Sequence, residues 1–136
     1  HYEFYKKFNA IDCFVKNNSI ICDGEAQIIL EDDDGFAAWI ISKDPEKTAF
    51  LVVANSKYTT ERVSMTDENN QCYSEILNGT PVFDKTINLP TDYTIVKEHY
   101  IDNDKFISVV FDSETSSLHF DKLEASEFRI YELKMV

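Results

Sequence analysis

Residues 50–54 read Phe-Leu-Val-Val-Ala, and Asn55 follows them. All five side chains in this run are apolar, so both alternating faces of an extended segment would be apolar. A strand of that kind is stable only where both of its faces are covered. The run therefore predicts a strand in the middle of a sheet, with a second layer of structure on each side.

Short runs rich in Ile, Val, Phe, Tyr and Thr recur on both sides of this segment and predict further strands. The dipeptides Asp34-Gly35 and Asn78-Gly79 favour tight hairpins, because Gly adopts a positive φ readily, and Asp44-Pro45 and Asp102-Asn103 favour turns. So many short strands indicate an all-β fold, an antiparallel Greek-key-like β-sandwich. The strands are predicted near residues 19–22, 26–31, 36–42, 49–55, 61–65, 72–76, 82–89, 93–100, 106–111, 117–120 and 128–133.

The first residues have a different periodicity. Apolar side chains recur at i, i+4, i+7 and i+11, which predicts one N-terminal amphipathic helix that stops at Asn17 and Asn18. A single helix of this length is marginal in water, so its apolar stripe needs a partner surface, either this sheet or another domain. We therefore divide the chain into a helix, residues 1–17, and a β-sandwich, residues 18–136. The stripe consists of Phe4, Phe8, Ile11 and Val15.

Composition limits the classes of partner. The chain has 136 residues, and its net charge is −12. Such a field repels phosphate backbones and anionic lipid headgroups, so we expect neither nucleic acid nor a membrane surface as a partner. The apolar fraction of 43% is high enough for one folded domain.

The three cysteines, Cys13, Cys22 and Cys72, are an odd number without a C-x-x-C spacing. This pattern argues against a disulfide framework and against a zinc site, and it favours buried free thiols in a cytoplasmic compartment. A pairing of Cys13 with Cys22 stays open. The chain begins at His1 rather than Met, so we expect a trimmed or processed segment.

The sequence predicts no catalytic, cofactor-binding or metal site. His1, His99 and His119 are far apart, and we expect the last two to be strand residues. The run from Glu31 to Gly35 is interpreted as an acidic hairpin turn, with a calcium loop as the lesser alternative. Pairs such as Asp112 with Glu114 could in principle act on a sugar, but acidic β proteins offer many such pairs.

Two aromatic residues are weak candidates for carbohydrate binding. Trp39 lies between Ala38 and Ile40 in an apolar strand, so packing in the core is the favoured interpretation. Tyr58, beside a polar turn, is expected to be exposed. A binding face of this kind would need two or three coplanar exposed rings.

The order of elements resembles the end of α-amylase-family glycoside hydrolases. Residues 3–8, Glu-Phe-Tyr-Lys-Lys-Phe, are similar to the opening of the last barrel helix, and 23–25 to the turn that follows it. Residues 50–56 look like the central strand of the C-terminal sandwich, 74–79 like its hairpin, and 123–131 like its closing strand. The resemblance covers nearly the whole chain.

The resemblance implies a non-catalytic C-terminal accessory domain of an enzyme that acts on α-glucans. Its partner would be the catalytic (β/α) barrel of the same parent chain, whose three carboxylates belong to barrel loops and match nothing here. The domain would stabilise that barrel and could contact α-glucan itself. Two alternatives stay open, an independent carbohydrate-binding module and a β-sandwich that holds a protein partner.

Overall fold

The computed structural model describes residues 2–32, 35–66, 71–102, 105–125 and 127–136. Two helices come first, α1 (Tyr2–Asn17) and α2 (Ile20–Asp23). The strands follow in the order β1 (Glu25–Glu31), β2 (Phe36–Ser42), β3 (Thr48–Asn55), β4 (Tyr58–Thr66), β5 (Gln71–Gly79), β6 (Val82–Asn88), β7 (Tyr93–Asp102), β8 (Lys105–Thr115), β9 (Ser117–Leu123) and β10 (Phe128–Met135).

Six strands form one antiparallel sheet in the order β1-β2-β3-β10-β7-β8. The strands β6 and β9 pair with each other, and β4 and β5 form a separate two-stranded ribbon. The predicted all-β, antiparallel, sandwich-like fold is confirmed. The strand β3 lies between β2 and β10, so the predicted central position of residues 50–54 is confirmed as well.

Both faces of β3 are covered, each by a different layer. Leu51 and Val53 are fully buried on the face that packs against the β6–β9 pair, which contributes Ile87, Phe120 and Leu123. Phe50 and Val52 lie on the opposite face with Ile41 and Ile130, and Phe14, Ile20 and Ile21 of the two helices pack against them. The main core therefore lies between the sheet and β6–β9, and the smaller one lies under the helices.

The strand predicted at residues 19–22 is wrong, because this segment is the short helix α2. The amides of Cys22 and Asp23 both donate to the carbonyl of Ser19, and the amide of Gly24 donates to the carbonyl of Ile20. Ile20 and Ile21 both pack against the smaller core. Consecutive side chains of a strand point to opposite faces, so only a helical turn lets these neighbours cover the same surface.

Only one of the two predicted Gly hairpin turns is found. Gly35 has a φ of +96°, as expected for its turn. Gly79 ends β5 without a positive φ, and the next strand, β6, pairs with β9 instead of folding back. A Cβ atom at Gly79 would lie 2.4 Å from the Cβ of Ala125. The glycine is there because the turn after β9 approaches the backbone closely, not because a hairpin needs it.

We expect Gly79→Ala to lower the free energy of unfolding by about 1–3 kcal/mol, because two methyl groups cannot share this space. Replacement of the partner, Ala125→Gly, in the same chain should restore most of that loss. Urea unfolding of the two single variants and the double variant measures the coupling between the two positions. Equal destabilisation by Gly79→Ala in both backgrounds would contradict the packing explanation.

Asn55 joins the two layers at the end of β3. Its side chain is 1% exposed, and its Nδ2 donates to the carbonyl oxygens of Thr80, Leu123 and Glu124 at 3.0, 3.1 and 3.2 Å. Its Oδ1 accepts the amide of Lys57 at 2.9 Å. The side-chain amide of Asn55 thus bonds the residue just before β4, the segment just before β6 and the end of β9.

We expect Asn55→Ala to lower the free energy of unfolding by about 3 kcal/mol, because it leaves several buried backbone groups without a partner. The matched control is Asn88→Ala at an exposed asparagine of β6, which accepts one bond from Ser117. This control should change stability by less than about 0.5 kcal/mol. Urea unfolding measures both, and similar losses for the two variants would refute the role given to Asn55.

Candidate functional site

The structure does not bring the two predicted aromatic candidates together. Trp39 is half-buried on β2, where it packs against the smaller core, as its apolar neighbours predicted. Tyr58 is 58% exposed, as expected, but it begins β4 in the separate ribbon. Tyr100 is 37% exposed on β7. The three rings therefore lie on three different elements.

The remaining predicted polar residues have mixed outcomes. His99 and His119 are strand residues of β7 and β9, which confirms their interpretation. Asp32, in the acidic turn, forms an ion pair with Lys85 of β6. Cys13 and Cys22 are free thiols, but the prediction that they are buried is wrong, because both are exposed. The side chains of Cys72, Asp112 and Glu114 lie outside the described residues, as does His1.

A polar row crosses three neighbouring strands on the helix-covered face of the sheet. His99 of β7 lies directly opposite Ser108 of β8, and its Nδ1 is 2.7 Å from the Ser108 Oγ. The other ring nitrogen, Nε2, is 3.5 Å from an Oε1 of Glu132 on β10. Lys97 lies on the far side of that carboxylate, at 3.9 Å from its Oε2. The row places a carboxylate, an imidazole and a hydroxyl in sequence.

Burial decides the protonation state of this imidazole. His99 is 6% exposed, and its removal from water lowers the pKa because the charged form loses its hydration. The carboxylate of Glu132 acts in the opposite direction and favours the charged ring, but burial has the larger effect. His99 is therefore neutral at neutral pH, with one nitrogen as a donor and the other as an acceptor.

Helix α1 is anchored to the sheet above this row by Phe14. The Phe14 ring stacks on the Phe106 ring of β8, with centroids 4.3 Å apart and planes inclined by 16°. Its centroid is also 5.0 Å from that of His99 and 6.4 Å from that of Phe50. Asn18 ends the helix by donating its side-chain amide to the Phe14 carbonyl at 2.9 Å. These contacts fix the distance between α1 and β8.

A cleft of about 750 Å³ lies between α1 and β8. The wall formed by α1 carries the side chains of Asn9, Cys13 and Asn17, and the wall formed by β8 carries those of Lys105 and Ser108. Phe14, Phe106 and His99 line it as well. Its size is within the range of about 300–1,000 Å³ that small-molecule sites occupy. This cleft is the candidate site.

A second polar cluster lies on the exposed surface of the β6–β9 pair. The Nε2 of His119 is 3.1 Å from an Oδ1 of Asp84 and 3.3 Å from an Oδ1 of Asp121, and both carboxylates are at least 88% exposed. The His119 Nδ1 is 2.8 Å from the Thr86 Oγ1. Across the described residues, no group of three or more His, Cys, Asp or Glu side chains is arranged to hold a metal ion. Neither described helix has the length and apolarity needed to cross a bilayer.

The sequence indicates a turn near the hairpin that joins β7 and β8, but not the register that pairs His99 with Ser108. A hairpin centred on the predicted turn at Asp102-Asn103 would place His99 opposite Phe106, because paired residues in a hairpin have numbers with a constant sum. The structure instead pairs Asp102 with Lys105 and His99 with Ser108. The contributions of Asn9 and Asn17 had no comparable signal, because the packing of α1 determines them.

Comparisons of the chain with protein-family models, with curated proteins and with solved structures found no match.

The lowered pKa of His99 predicts how stability depends on pH. The unfolded chain protonates this imidazole near its ordinary pKa of 6.5, whereas the folded chain keeps it neutral to lower pH. Unfolding therefore takes up a proton, and the free energy of unfolding should fall as the pH falls through 6.5 towards the folded pKa. His99→Gln should remove this part of the pH dependence.

Urea unfolding at several pH values between about 5 and 8 measures the effect, in the range where His titrates and most carboxylates do not. The stability difference between the wild type and His99→Gln should shrink as the pH falls. His119→Gln serves as the matched control for the loss of one imidazole. If His119→Gln, and not His99→Gln, flattened the profile, the assignment to His99 would be wrong.

Proposed function

We propose that this chain is a non-catalytic accessory domain of an enzyme of the α-amylase family that acts on α-glucans. In this role it packs on the catalytic (β/α) barrel of the same parent chain and stabilises it. The proposal rests on the resemblance of residues 3–8, 50–56, 74–79 and 123–131 to that family, and on one observation about α1.

That observation is the position of the apolar stripe relative to the sheet. Among the described side chains of α1, the one packed against the smaller core is Phe14. At 100° per residue, Phe14 lies about 90° around the helix from the centre of the stripe that contains Ile11 and Val15. Both of these residues keep part of their surface exposed. The sheet therefore uses the side of the helix next to the stripe, and the exposed parts of Ile11 and Val15 can contact a second body.

The uncovered part of the same sheet face supports a second body as well. Ile28 of β1 pairs with Trp39 of β2 and is 63% exposed, and Phe128 of β10 is 37% exposed on the same face. Ala37 and Ala54 lie in the row of Phe128 and leave a shallow apolar surface between the larger side chains. Exposed apolar surface that continues from a helix to a sheet is typical of an interface with another domain.

The first test uses the natural reading frame that contains residues 1–136. We expect it to encode a (β/α) barrel before this segment and its product to hydrolyse or transfer α-glucan chains, measured as reducing sugar released from soluble starch. A reading frame without such a barrel, or a complete product without action on any α-glucan, would overturn the proposal.

The second test concerns the stripe. Val15→Asp in the complete product should lower the free energy of unfolding by about 2 kcal/mol more than it does in the chain alone, because the barrel would otherwise bury Val15. The matched control is Val109→Asp, at a position 45% exposed on β8. The control should have the same effect in both contexts. An effect of Val15→Asp that is equal in both contexts would contradict a barrel contact at the stripe.

A further inference from the structure

Two polar side chains are buried in the part of the chain that the structure describes, and the structure explains only one of them. They are Asn55 and His99. Asn55 bonds four backbone groups and joins the two layers of the fold. His99 bonds one side chain, Ser108, and its buried Nε2 meets the criteria for no hydrogen bond among the described residues, with the Glu132 carboxylate 3.5 Å away. A buried polar group costs free energy unless its bonds compensate, so the position of His99 calls for another explanation.

The imidazole fixes the direction of the Ser108 hydroxyl. The carboxylate of Glu132, at 3.5 Å, favours the proton on Nε2, so in the neutral ring Nδ1 is the acceptor. Ser108 must then donate its proton to His99 across the 2.7 Å contact. The lone pairs of the Ser108 oxygen are left for the cleft, into which this exposed side chain projects. The row of three residues therefore presents an oriented hydrogen-bond acceptor.

The remaining lining suits an uncharged ligand with many hydroxyl groups. Asn9 and Asn17 contribute exposed amides, each with donors and an acceptor, and these make no hydrogen bond within the described part of the chain. Lys105 adds a donor on the β8 side. The described lining contains no carboxylate, and the net charge of −12 disfavours anions. Phe14 and Phe106, whose rings stack on each other, add apolar surface to the cleft.

We propose that the cleft between α1 and β8 binds a neutral saccharide. Ser108 accepts a hydrogen bond from a sugar hydroxyl, Asn9 and Asn17 bind further hydroxyls, and Glu132 and His99 act as positioning residues for Ser108. The assignment of the saccharide as an α-1,4-linked glucan rests on the proposed function. The assignment of the cleft as a saccharide site rests on the residues that line it.

The cleft and the proposed barrel contact do not compete for the same side of α1. Asn9, Cys13 and Asn17 are spaced by four residues and share one side of the helix. Ile11 and Val15 of the stripe lie two residues away, about 200° around the helix axis. A domain seated on the stripe would therefore leave the cleft open to a glucan chain.

The experiment is calorimetric titration of the chain with maltoheptaose at pH 7.5, with cellohexaose as the β-linked comparison. Ser108→Ala and Asn17→Ala should each weaken binding of maltoheptaose by about tenfold or more. Ser117→Ala is the matched control, since its hydroxyl bonds Asn88 on the β6–β9 pair, and it should bind as the wild type does. Asn17 is exposed and makes no described hydrogen bond, so its variant tests the site even if loss of the Ser108 bond disturbs the fold.

The outcomes distinguish the saccharide site from the assignment of its ligand as an α-glucan. Binding of neither saccharide, or binding that both variants leave unchanged, overturns the cleft as a saccharide site and leaves the accessory role to its own tests on the barrel. Binding of cellohexaose alone, lost in both variants, supports the site and contradicts the α-glucan assignment. Binding of maltoheptaose, weakened in Ser108→Ala and Asn17→Ala only, supports both the site and its ligand.

Discussion

The fold depends on removing both faces of β3 from water. Residues 49–53 are all at least 91% buried, and no single layer can cover an apolar strand on two sides. The β6–β9 pair covers one face with Ile87, Phe120 and Leu123, and the two helices cover the other with Phe14, Ile20 and Ile21. The core under the β6–β9 pair is large and continuous. The core under the helices is smaller, and the helix side chains that cover it are only partly buried. The helix-covered face is consequently the one with room for polar groups and a cleft.

Asn55 shows how the end of that same strand fixes the position of the second layer. Hydrophobic contact is non-directional and would allow β6 and β9 to slide over the sheet. Hydrogen bonds have strict geometry, and the Asn55 amide reaches carbonyls on both sides of that pair. The close contact of Gly79 with Ala125 lies beside this junction. The junction therefore selects one arrangement among those that burial alone would permit.

The periodicity of apolar residues predicts most of the helices and strands, but it does not predict the contacts between them. The apolar run at 50–54 predicted the central strand, and Asp34-Gly35 predicted a turn that Gly35 confirms with its positive φ. The segment at 19–22 was assigned to a strand because its β-branched residues favour one, yet the need for Ile20 and Ile21 to cover the same patch outweighed that local preference. Of the candidate site, the predicted turn at Asp102-Asn103 lies close to the β7–β8 hairpin, but it does not give the register that pairs His99 with Ser108. The burial of His99 could not be predicted either, because it depends on where Phe14 places the helix.

Helix α1 offers separate surfaces for the proposed accessory packing and the proposed ligand binding. A helix that served only to cover the sheet would direct its widest apolar stripe at the sheet and keep polar residues opposite. Here Phe14 makes the contact from beside that stripe, Ile11 and Val15 are not among the side chains packed on the smaller core, and Asn9 and Asn17 line the cleft. The contact of Phe14 with Phe106 and His99 thus sets the rotation of the helix about its axis. That one rotation determines both which apolar side chains stay partly exposed and which polar groups lie beside Ser108 in the cleft.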